Sequence, residues 1–240
     1  MSRTPPTVFV VDDDEDVRRA LGRLLCAARY ATRSFGSAAE FLAHHDPDLA
    51  GCVILDLAMP GQSGLDVQST LAAAHCHRPI IFLSGHGSIA ESVSAMRAGA
   101  VNFLTKPVEN HELFVAVEEA LRVDEEQRRA TCLRQIVQER LATLTPRERQ
   151  VLAHVVEGRM NKQIAGDLGT VLKTIKVHRA RVMHKMRVRS LAQLVRLIGA
   201  SGVMLDPPPQ HSERAADIGF TAPLNANGGS GSLGSGIAHW

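Results

Sequence analysis

Acidic residues, one serine and one lysine follow short apolar runs in the first half of the chain. The runs and the polar residues after them are 8–11 with Asp12 and Asp13, 52–55 with Asp56, 80–83 with Ser84, and 101–104 with Lys106. Carboxylates that converge repel one another unless a cation lies among them, and oxygen ligands without His or Cys favour Mg²⁺. A carboxylate beside such an ion can attack phosphorus while a lysine neutralises a phosphoryl oxygen. The pattern therefore predicts capture of a phosphoryl group.

The elements that must position these residues are strands alternating with helices. Apolar runs predict strands at 8–11, about 31–35, 52–55, 80–83 and 101–104, and helical spacing predicts helices near 15–29, 37–44, 64–75, 88–98 and 110–122. Three of the runs are apolar throughout, which is typical of strands buried on both faces. This predicts an α/β domain with a five-stranded parallel sheet covered on both sides by helices. Ligands bind such sheets outside the carboxyl ends of the strands, so we expect the polar residues to share one edge.

Length and charge divide the chain into parts. Its 240 residues, 45% hydrophobic and 22% charged, are enough for one large or two small globular domains. The formal net charge of +2 is uneven, because residues 1–123 sum to −5 and residues 143–200 to +9. The acidic first part and the basic second part predict different partners, with a polyanion for the second.

Membrane and disulfide chemistry are not expected. No apolar stretch reaches the length of a membrane helix and the N-terminus lacks the apolar core of a signal peptide, which predicts a cytoplasmic protein without membrane association. The four cysteines lack C-x-x-C spacing and three lie in apolar segments, which predicts buried reduced thiols. The sequence His75-Cys76-His77 is interpreted as a loop, because no fourth metal ligand is apparent.

Four segments are predicted: the α/β domain at 1–122, a helical linker at 123–142, an all-α domain of four helices at 143–200, and a tail at 201–240. The linker is charge-balanced with a narrow apolar stripe, too short to establish a coiled coil. The tail is rich in Pro, Gly and Ser, which predicts disorder.

The basic segment has the pattern of a helix-turn-helix. Thr145 and Pro146 predict a helix start, and further helices are expected at 161–169, about 172–186 and from 191. Such a motif places its second helix in the major groove of DNA. Ile175, Val182 and Met186 share the face expected to pack inward. The residues expected to contact phosphates, guanine edges or thymine methyl groups of DNA are Lys173, Thr174, Lys176, Val177, His178, Arg179, Ala180, Arg181 and His184.

Residues 6–123 resemble the receiver domain of two-component response regulators. The motifs that carry the resemblance are Asp12-Asp13, Asp56-Leu57-Ala58-Met59-Pro60-Gly61, Ser84, Phe103 and Lys106-Pro107. The resemblance implies that Asp56 is the phosphoacceptor. It also implies that Mg²⁺ is held by Asp13, Asp56 and the backbone carbonyl of Ala58, with Asp12 acting mainly through water.

The same resemblance implies roles for three further residues. Ser84 would donate its hydroxyl to the phosphoryl group, and Phe103 would be an aromatic switch that turns inward as Ser84 moves. Lys106 would neutralise the phosphoryl group and form a cis peptide bond with Pro107. Phe103 lacks the hydroxyl of a tyrosine, so only its packing can change.

Residues 144–199 resemble the LuxR/FixJ-type helix-turn-helix. The matching stretches are the Leu-Thr-Pro-Arg-Glu opening, Asn-Lys-Gln-Ile-Ala, and Thr174-Ile175-Lys176-Val177-His178-Arg179. The sequence departs from that family at Val171-Leu172, where a polar start is usual, and Thr170 is expected to supply the missing cap. Together the two resemblances identify a response regulator of the FixJ/NarL type. They imply a sensor histidine kinase, promoter DNA and RNA polymerase as partners, and a homodimer on phosphorylation.

Other interpretations of the same residues stay open at this point. Asp14 is expected to cap the first helix, and His178 is expected to pack or to touch phosphate rather than read a base. An aspartyl-phosphate hydrolase also uses Mg²⁺ and an Asp nucleophile, but such enzymes place that nucleophile after the first strand. A binding module that works without phosphorylation is the second alternative. On the main interpretation the chain is not an enzyme beyond phosphorylation and dephosphorylation of its own Asp56.

Overall fold

The computed structural model describes residues 5–85 and 88–207, and they form two compact units. One unit comprises residues 5–143 with 192–204, and the other comprises residues 144–191 with 205–207. The predicted tail lies outside the described residues from position 208 onward, whereas Ser201 is still helical. No helix among the described residues is long and apolar enough to cross a membrane.

The first unit alternates strands and helices as the apolar runs predict. Its strands are β1 (Thr7–Val11), β2 (Ala31–Phe35), β3 (Gly51–Asp56), β4 (Ile80–Ser84) and β5 (Asn102–Thr105). Its first helices are α1 (Glu15–Ala27), α2 (Ala38–His44), α3 (Gly64–Ala73), α4 (Ile89–Arg97) and α5 (Asn110–Ala142). All strand pairs are parallel, and the strand order is β2-β1-β3-β4-β5. The prediction of a five-stranded parallel sheet is confirmed.

Two apolar layers cover the sheet. Alternate residues of the central strands point to opposite faces, so Phe9 and Val53 lie in one core and Val10 and Ile54 in the other. The first core includes buried residues of α2, α3 and α4, and the second includes buried residues of α1 and α5. Burial on both faces explains why these strands are apolar throughout.

Helix α5 includes the predicted linker. It runs without a break for 33 residues, whereas the sequence analysis placed a boundary after residue 122. The chain has no Gly or Pro between 110 and 142 that could end the helix. Near its end Val137 is fully buried, and Arg134 Nε donates to the carbonyl of Ser201 at 3.4 Å.

The second unit is built from the helices α6 (Pro146–Val156), α7 (Asn161–Asp167) and α8 (Leu172–Lys185). Thr145 caps α6 in a capping box with Glu148, and Pro146 occupies the first turn, as predicted. The residues of its core include Val151, Leu152, Ile164, Ile175, Val182 and Met186. The fourth helix, α9 (Leu191–Ser201), groups from residue 192 onward with the first unit.

The prediction that the cysteines are buried is confirmed only for Cys52. All four are free thiols, but Cys26 and Cys132 are exposed, Cys76 is half-buried and only Cys52 is buried. Cys26 and Cys132 lie on helices, where an apolar neighbourhood in sequence does not fix which face a residue occupies.

Candidate functional site

The carboxyl ends of four strands bring the predicted polar residues to one edge of the sheet. Asp12 and Asp13 follow β1, Asp56 ends β3, Ser84 ends β4 and Lys106 follows β5. The strand register aligns these ends, because Val11 pairs with Leu55, Asp56 with Leu83, and Ser84 with Thr105. The expectation that the residues share one edge is therefore confirmed.

Three carboxylates form a cluster at this edge. Asp12, Asp13 and Asp56 each offer an oxygen, and these oxygens lie within 4.8 Å of one another. Asp12 and Asp56 are buried, with 1% and 5% of their surface exposed, whereas Asp13 is exposed. Such a cluster can hold a metal ion, because its donors are all the hard oxygen ligands that Mg²⁺ prefers.

Lys106 is the cation that balances the buried acids. Its Nζ lies 2.7 Å from Asp12 Oδ2 and 3.0 Å from Asp56 Oδ1. Burial alone would lower the pKa of Lys106, but the hydrogen bonds and charges of the two aspartates raise it overall. The ammonium group is thus held in its charged form between the two carboxylates.

Asp56 has a raised pKa, and burial is the largest cause. The hydrogen bond and charge of Lys106 act in the opposite direction, while the negative charges of Asp12 and Asp13 raise the pKa further. An additional cation in the cluster would lower the pKa of Asp56 and favour its ionised, nucleophilic form.

Local hydrogen bonds fix the position of Asp12. Its Oδ1 accepts from the amide of Asp14 at 3.0 Å, and its carbonyl accepts from Arg18 Nη1 at 2.7 Å. Asp14 caps α1 by accepting from the amides of Asp16 and Val17, as predicted. Sequence reasoning missed Arg18, because nothing in its helical position indicates a bond back to the preceding loop.

Gly64 is a second residue that the sequence analysis missed. A Cβ atom at this position would lie 2.5 Å from the carbonyl oxygen of Asp56 and 2.9 Å from the Phe82 ring. Only glycine allows the first turn of α3 to approach β3 so closely. The signal in the sequence is a glycine directly after Ser63, the residue that caps α3.

Ser84 ends β4, the strand next to β3, and Phe103 lies on the edge strand β5. Ser84 is buried, and its carbonyl accepts from the amide of Lys106 at 2.8 Å. Phe103 is half-buried, with its ring centroid 6.3 Å from that of Phe82. The peptide bond between Lys106 and Pro107 is cis, as the resemblance implies. Ala58 is exposed two residues after Asp56, and the role of its carbonyl stays a prediction.

Helix α8 of the second unit carries all of the predicted DNA-contacting residues. Ile175, Val182 and Met186 are fully buried, so the predicted inward face of α8 is confirmed. The exposed residues of the predicted set are Lys173, Lys176, Val177, Ala180, Arg181 and His184, and the half-buried ones are Thr174, His178 and Arg179. Arg179 Nη1 donates to Asn161 Oδ1 at 3.0 Å, which ties α8 to the start of α7.

The expectation that Thr170 caps α8 is wrong. The capping position is Val171, which makes no side-chain hydrogen bond to the helix. The first turn of α8 also contains no acidic residue, so its amide groups keep their positive potential for an external anion. No residue from 172 to 185 is acidic, and this agrees with binding to a phosphate backbone.

Comparison with known proteins places both units in families. The family described as "Response regulator receiver domain" matches residues 8–118, and "Bacterial regulatory proteins, luxR family" matches residues 142–198. Nodulation protein W of Bradyrhizobium diazoefficiens is 44% identical over 200 residues, covering 83% of this chain and 88% of that protein. The transcriptional regulatory protein FixJ of Azorhizobium caulinodans is 42% identical, covering 82% and 93%.

Solved structures agree with these relatives. The response regulator StyR has a TM-score of 0.73 and 45% identity, covering 82% of this chain and 99% of its own. Full-length FixJ from B. japonicum has a TM-score of 0.52 and 38% identity, covering 84% and 99%. Members of this family act as transcription factors rather than as enzymes, so the hydrolase alternative loses its support. The chain belongs to the two-component response regulators of the FixJ type, in which a receiver domain is joined to a LuxR-type DNA-binding domain.

Proposed function

We propose that Asp56 accepts a phosphoryl group from a sensor histidine kinase and that this modification switches DNA binding by the second unit. The observation that carries the proposal is the burial of Asp56 beside two further carboxylates, with Lys106 Nζ 3.0 Å away. During transfer, an oxygen of Asp56 bonds to phosphorus as the bond from phosphorus to the kinase histidine breaks. Water later hydrolyses the acyl phosphate and restores the carboxylate, so no external substrate is turned over.

The ligands proposed for Mg²⁺ are Asp13, Asp56 and the backbone carbonyl of Ala58, with Asp12 acting mainly through water. A bound Mg²⁺ supplies positive charge to the carboxylates and to the oxygens of the phosphoryl group. Lys106 is placed to pair with a phosphoryl oxygen, since its Nζ already contacts both buried aspartates.

Ser84 and Phe103 are the residues proposed to transmit the change. The hydroxyl of Ser84 donates to the phosphoryl group, and Phe103 turns inward as Ser84 moves. A phosphoryl group adds a charge of about −1.5 to −2, which gives the phosphorylated and free forms different preferred arrangements of nearby donors.

The surface of α4, β5 and α5, about residues 88–122, is proposed to form a homodimer after phosphorylation. Its exposed apolar side chains are Ile89, Val93, Met96 and Val115. A dimer places two recognition helices in adjacent major grooves, and the extra contacts raise the affinity for a two-fold operator.

The second unit is proposed to bind promoter DNA through α8. Lys173, Lys176 and Arg181 contact phosphates, and the remaining residues proposed for this interface are Thr174, Val177, His178, Arg179, Ala180 and His184. RNA polymerase is a further proposed partner at the promoter. The cytoplasm is the location proposed for this protein.

Incubation of the full chain with acetyl phosphate and Mg²⁺ tests the proposal. We expect an acid-labile, hydroxylamine-sensitive adduct on Asp56, absent from Asp56→Asn and present in the control Asp48→Asn. DNA binding is then measured at fixed salt concentration with and without the phosphodonor. Failure to form the adduct refutes the phosphoacceptor role. An adduct that leaves DNA affinity unchanged favours a binding module independent of phosphorylation.

A further inference from the structure

Large apolar side chains are exposed where the most basic helix of the chain begins. Val171 is 65% exposed, Leu172 43% and Val177 44%. Val171 directly precedes α8, and Leu172 and Val177 lie in its first two turns, next to the exposed Lys173 and Lys176. Exposed apolar surface among cations indicates a partner that offers both negative charge and apolar groups.

A role in starting the helix does not explain the apolar side chains at positions 171 and 172, which are Val171 and Leu172. Ser, Thr, Asp or Asn at the capping position would accept a hydrogen bond from the free amides of the first turn, and Val171 cannot. Neither side chain belongs to the buried core of the second unit, which includes Ile175 and Val182 from the same helix. Neither capping nor core packing therefore explains why these two positions are apolar.

DNA is the partner that fits both features of this surface. Its phosphates complement a helix with no acidic residue between 172 and 185. Residues at the N-terminal end of a recognition helix face the edges of the bases in the major groove. The C5-methyl group of thymine is the apolar group that a base exposes there.

We propose that Val171 and Leu172 determine operator specificity by packing against thymine methyl groups. The inference rests on the proposed DNA-binding function and adds the chemistry that the site recognises. Val171 and Leu172 supply apolar contact, while Lys173 and Lys176 supply attraction that does not depend on sequence. The chain should therefore select thymine at the operator positions that face the start of α8.

The test removes single methyl groups from DNA. Duplexes are first selected from a random library with the full chain treated with acetyl phosphate and Mg²⁺. Each thymine of the selected duplex is then replaced by deoxyuridine, which differs only in lacking the methyl group. Burying one such group should change the Kd by about fourfold, so we expect a loss of that size at the contacted thymines.

Protein variants test whether Val171 and Leu172 are the residues that contact the methyl groups. Val171→Thr keeps the shape of the side chain and can cap α8, so this variant is expected to fold, and it is combined with Leu172→Gln. The double variant should bind thymine and deoxyuridine duplexes with equal Kd. It should keep the wild-type dependence of binding on salt, because the phosphate contacts remain. Met160→Gln, which changes an apolar side chain 66% exposed at the start of α7, should keep the full methyl dependence.

Three results would contradict the inference or its basis. The inference would be overturned if no replacement of thymine by deoxyuridine changed the Kd of the wild-type protein. Methyl dependence that persists in the double variant would overturn it as well, because other residues would then make the contact. Selection of no duplex at all would overturn the DNA-binding function itself, and so that failure is distinguishable from the other two.

Discussion

Arg128 holds α5 to the segment that precedes β3. Its Nε donates to both oxygens of Asp124 at 2.9 and 3.0 Å, and its Nη atoms donate to the carbonyls of Pro47, Asp48 and Leu49. Asp124 is only 4% exposed, and its Oδ2 also accepts from the amide of Gly51 at 2.9 Å. The ion pair thus links the middle of α5 to the strand that ends at Asp56.

Arg128→Met should destabilise the first unit by about 2–4 kcal/mol. Removing one partner of a buried ion pair costs about 3–5 kcal/mol, because the remaining charge is left without compensation. The side chain of Arg128 is 34% exposed, so water can reach part of the vacated space and reduce that cost. The lost hydrogen bonds to three carbonyls add to the destabilisation. Each contributes about 0.5–1.5 kcal/mol, less what water restores by solvating the carbonyl.

Urea unfolding followed by circular dichroism measures the change in stability, and hydrogen exchange locates it. We expect faster exchange at residues 45–51 and in α5 after residue 122. The matched control is Arg129→Met, which removes an exposed ion pair with Glu125 at 2.7 Å on the same helix. The free energy of unfolding of that variant should fall by less than about 1 kcal/mol. Equal losses for the two variants would refute the argument that burial of Asp124 makes this pair important.

Three further predictions concern the two units. Glu148 is buried with Lys185 Nζ at 2.7 Å from its Oε2, and the hydrogen bond from Lys185 holds its pKa below the ordinary value of 4.5. The stabilisation that ionised Glu148 gives the folded protein is fully present above pH 4.5 and is lost as the pH falls through the lower pKa of the folded state. The unfolding temperature of Glu148→Gln should therefore fall less on acidification than that of the wild type. Gly64→Ala should cost about 1–3 kcal/mol and slow labelling by acetyl phosphate, whereas Gly22→Ala, whose Cβ meets nothing within 4 Å, should do neither. Lys106→Met should raise the pKa of Asp56 further in a carboxyl NMR titration with chelator present, and an unchanged pKa would contradict the role assigned to Lys106.

The sheet and the gathering of acids at its edge were predictable from sequence for a definite reason. Parallel strands buried on both faces appear as uninterrupted apolar runs, and their carboxyl ends must meet at one edge. Once the runs before Asp12 and Asp56 are recognised, the proximity of these residues follows without knowledge of any long-range contact.

Features that depend on distant pairs or on the face of a helix were not predictable. The bonds from Arg128 to the segment before β3 join residues about 80 positions apart, and no local pattern encodes them. The continuity of α5 had a signal in the absence of Gly and Pro, but the change in charge after residue 122 favoured a boundary there. The start of α8 at residue 172 was predicted correctly, but its capping residue was not, because propensity favours Thr170 whereas the capping position is Val171.

The position of Asp56 within the sheet limits how a modification there can be transmitted. β3 is buried at every residue and pairs with β1 and β4, so sliding it would break hydrogen bonds on both sides. Its far end is also fixed, because the amide of Gly51 binds the buried Asp124. β5 is an edge strand with only Leu104 buried, and it carries the half-buried Phe103. The proposed phosphoryl group on Asp56 would therefore act through the strands beside β3, and Ser84 and Phe103, the residues proposed to transmit the change, lie on the side of β4 and β5.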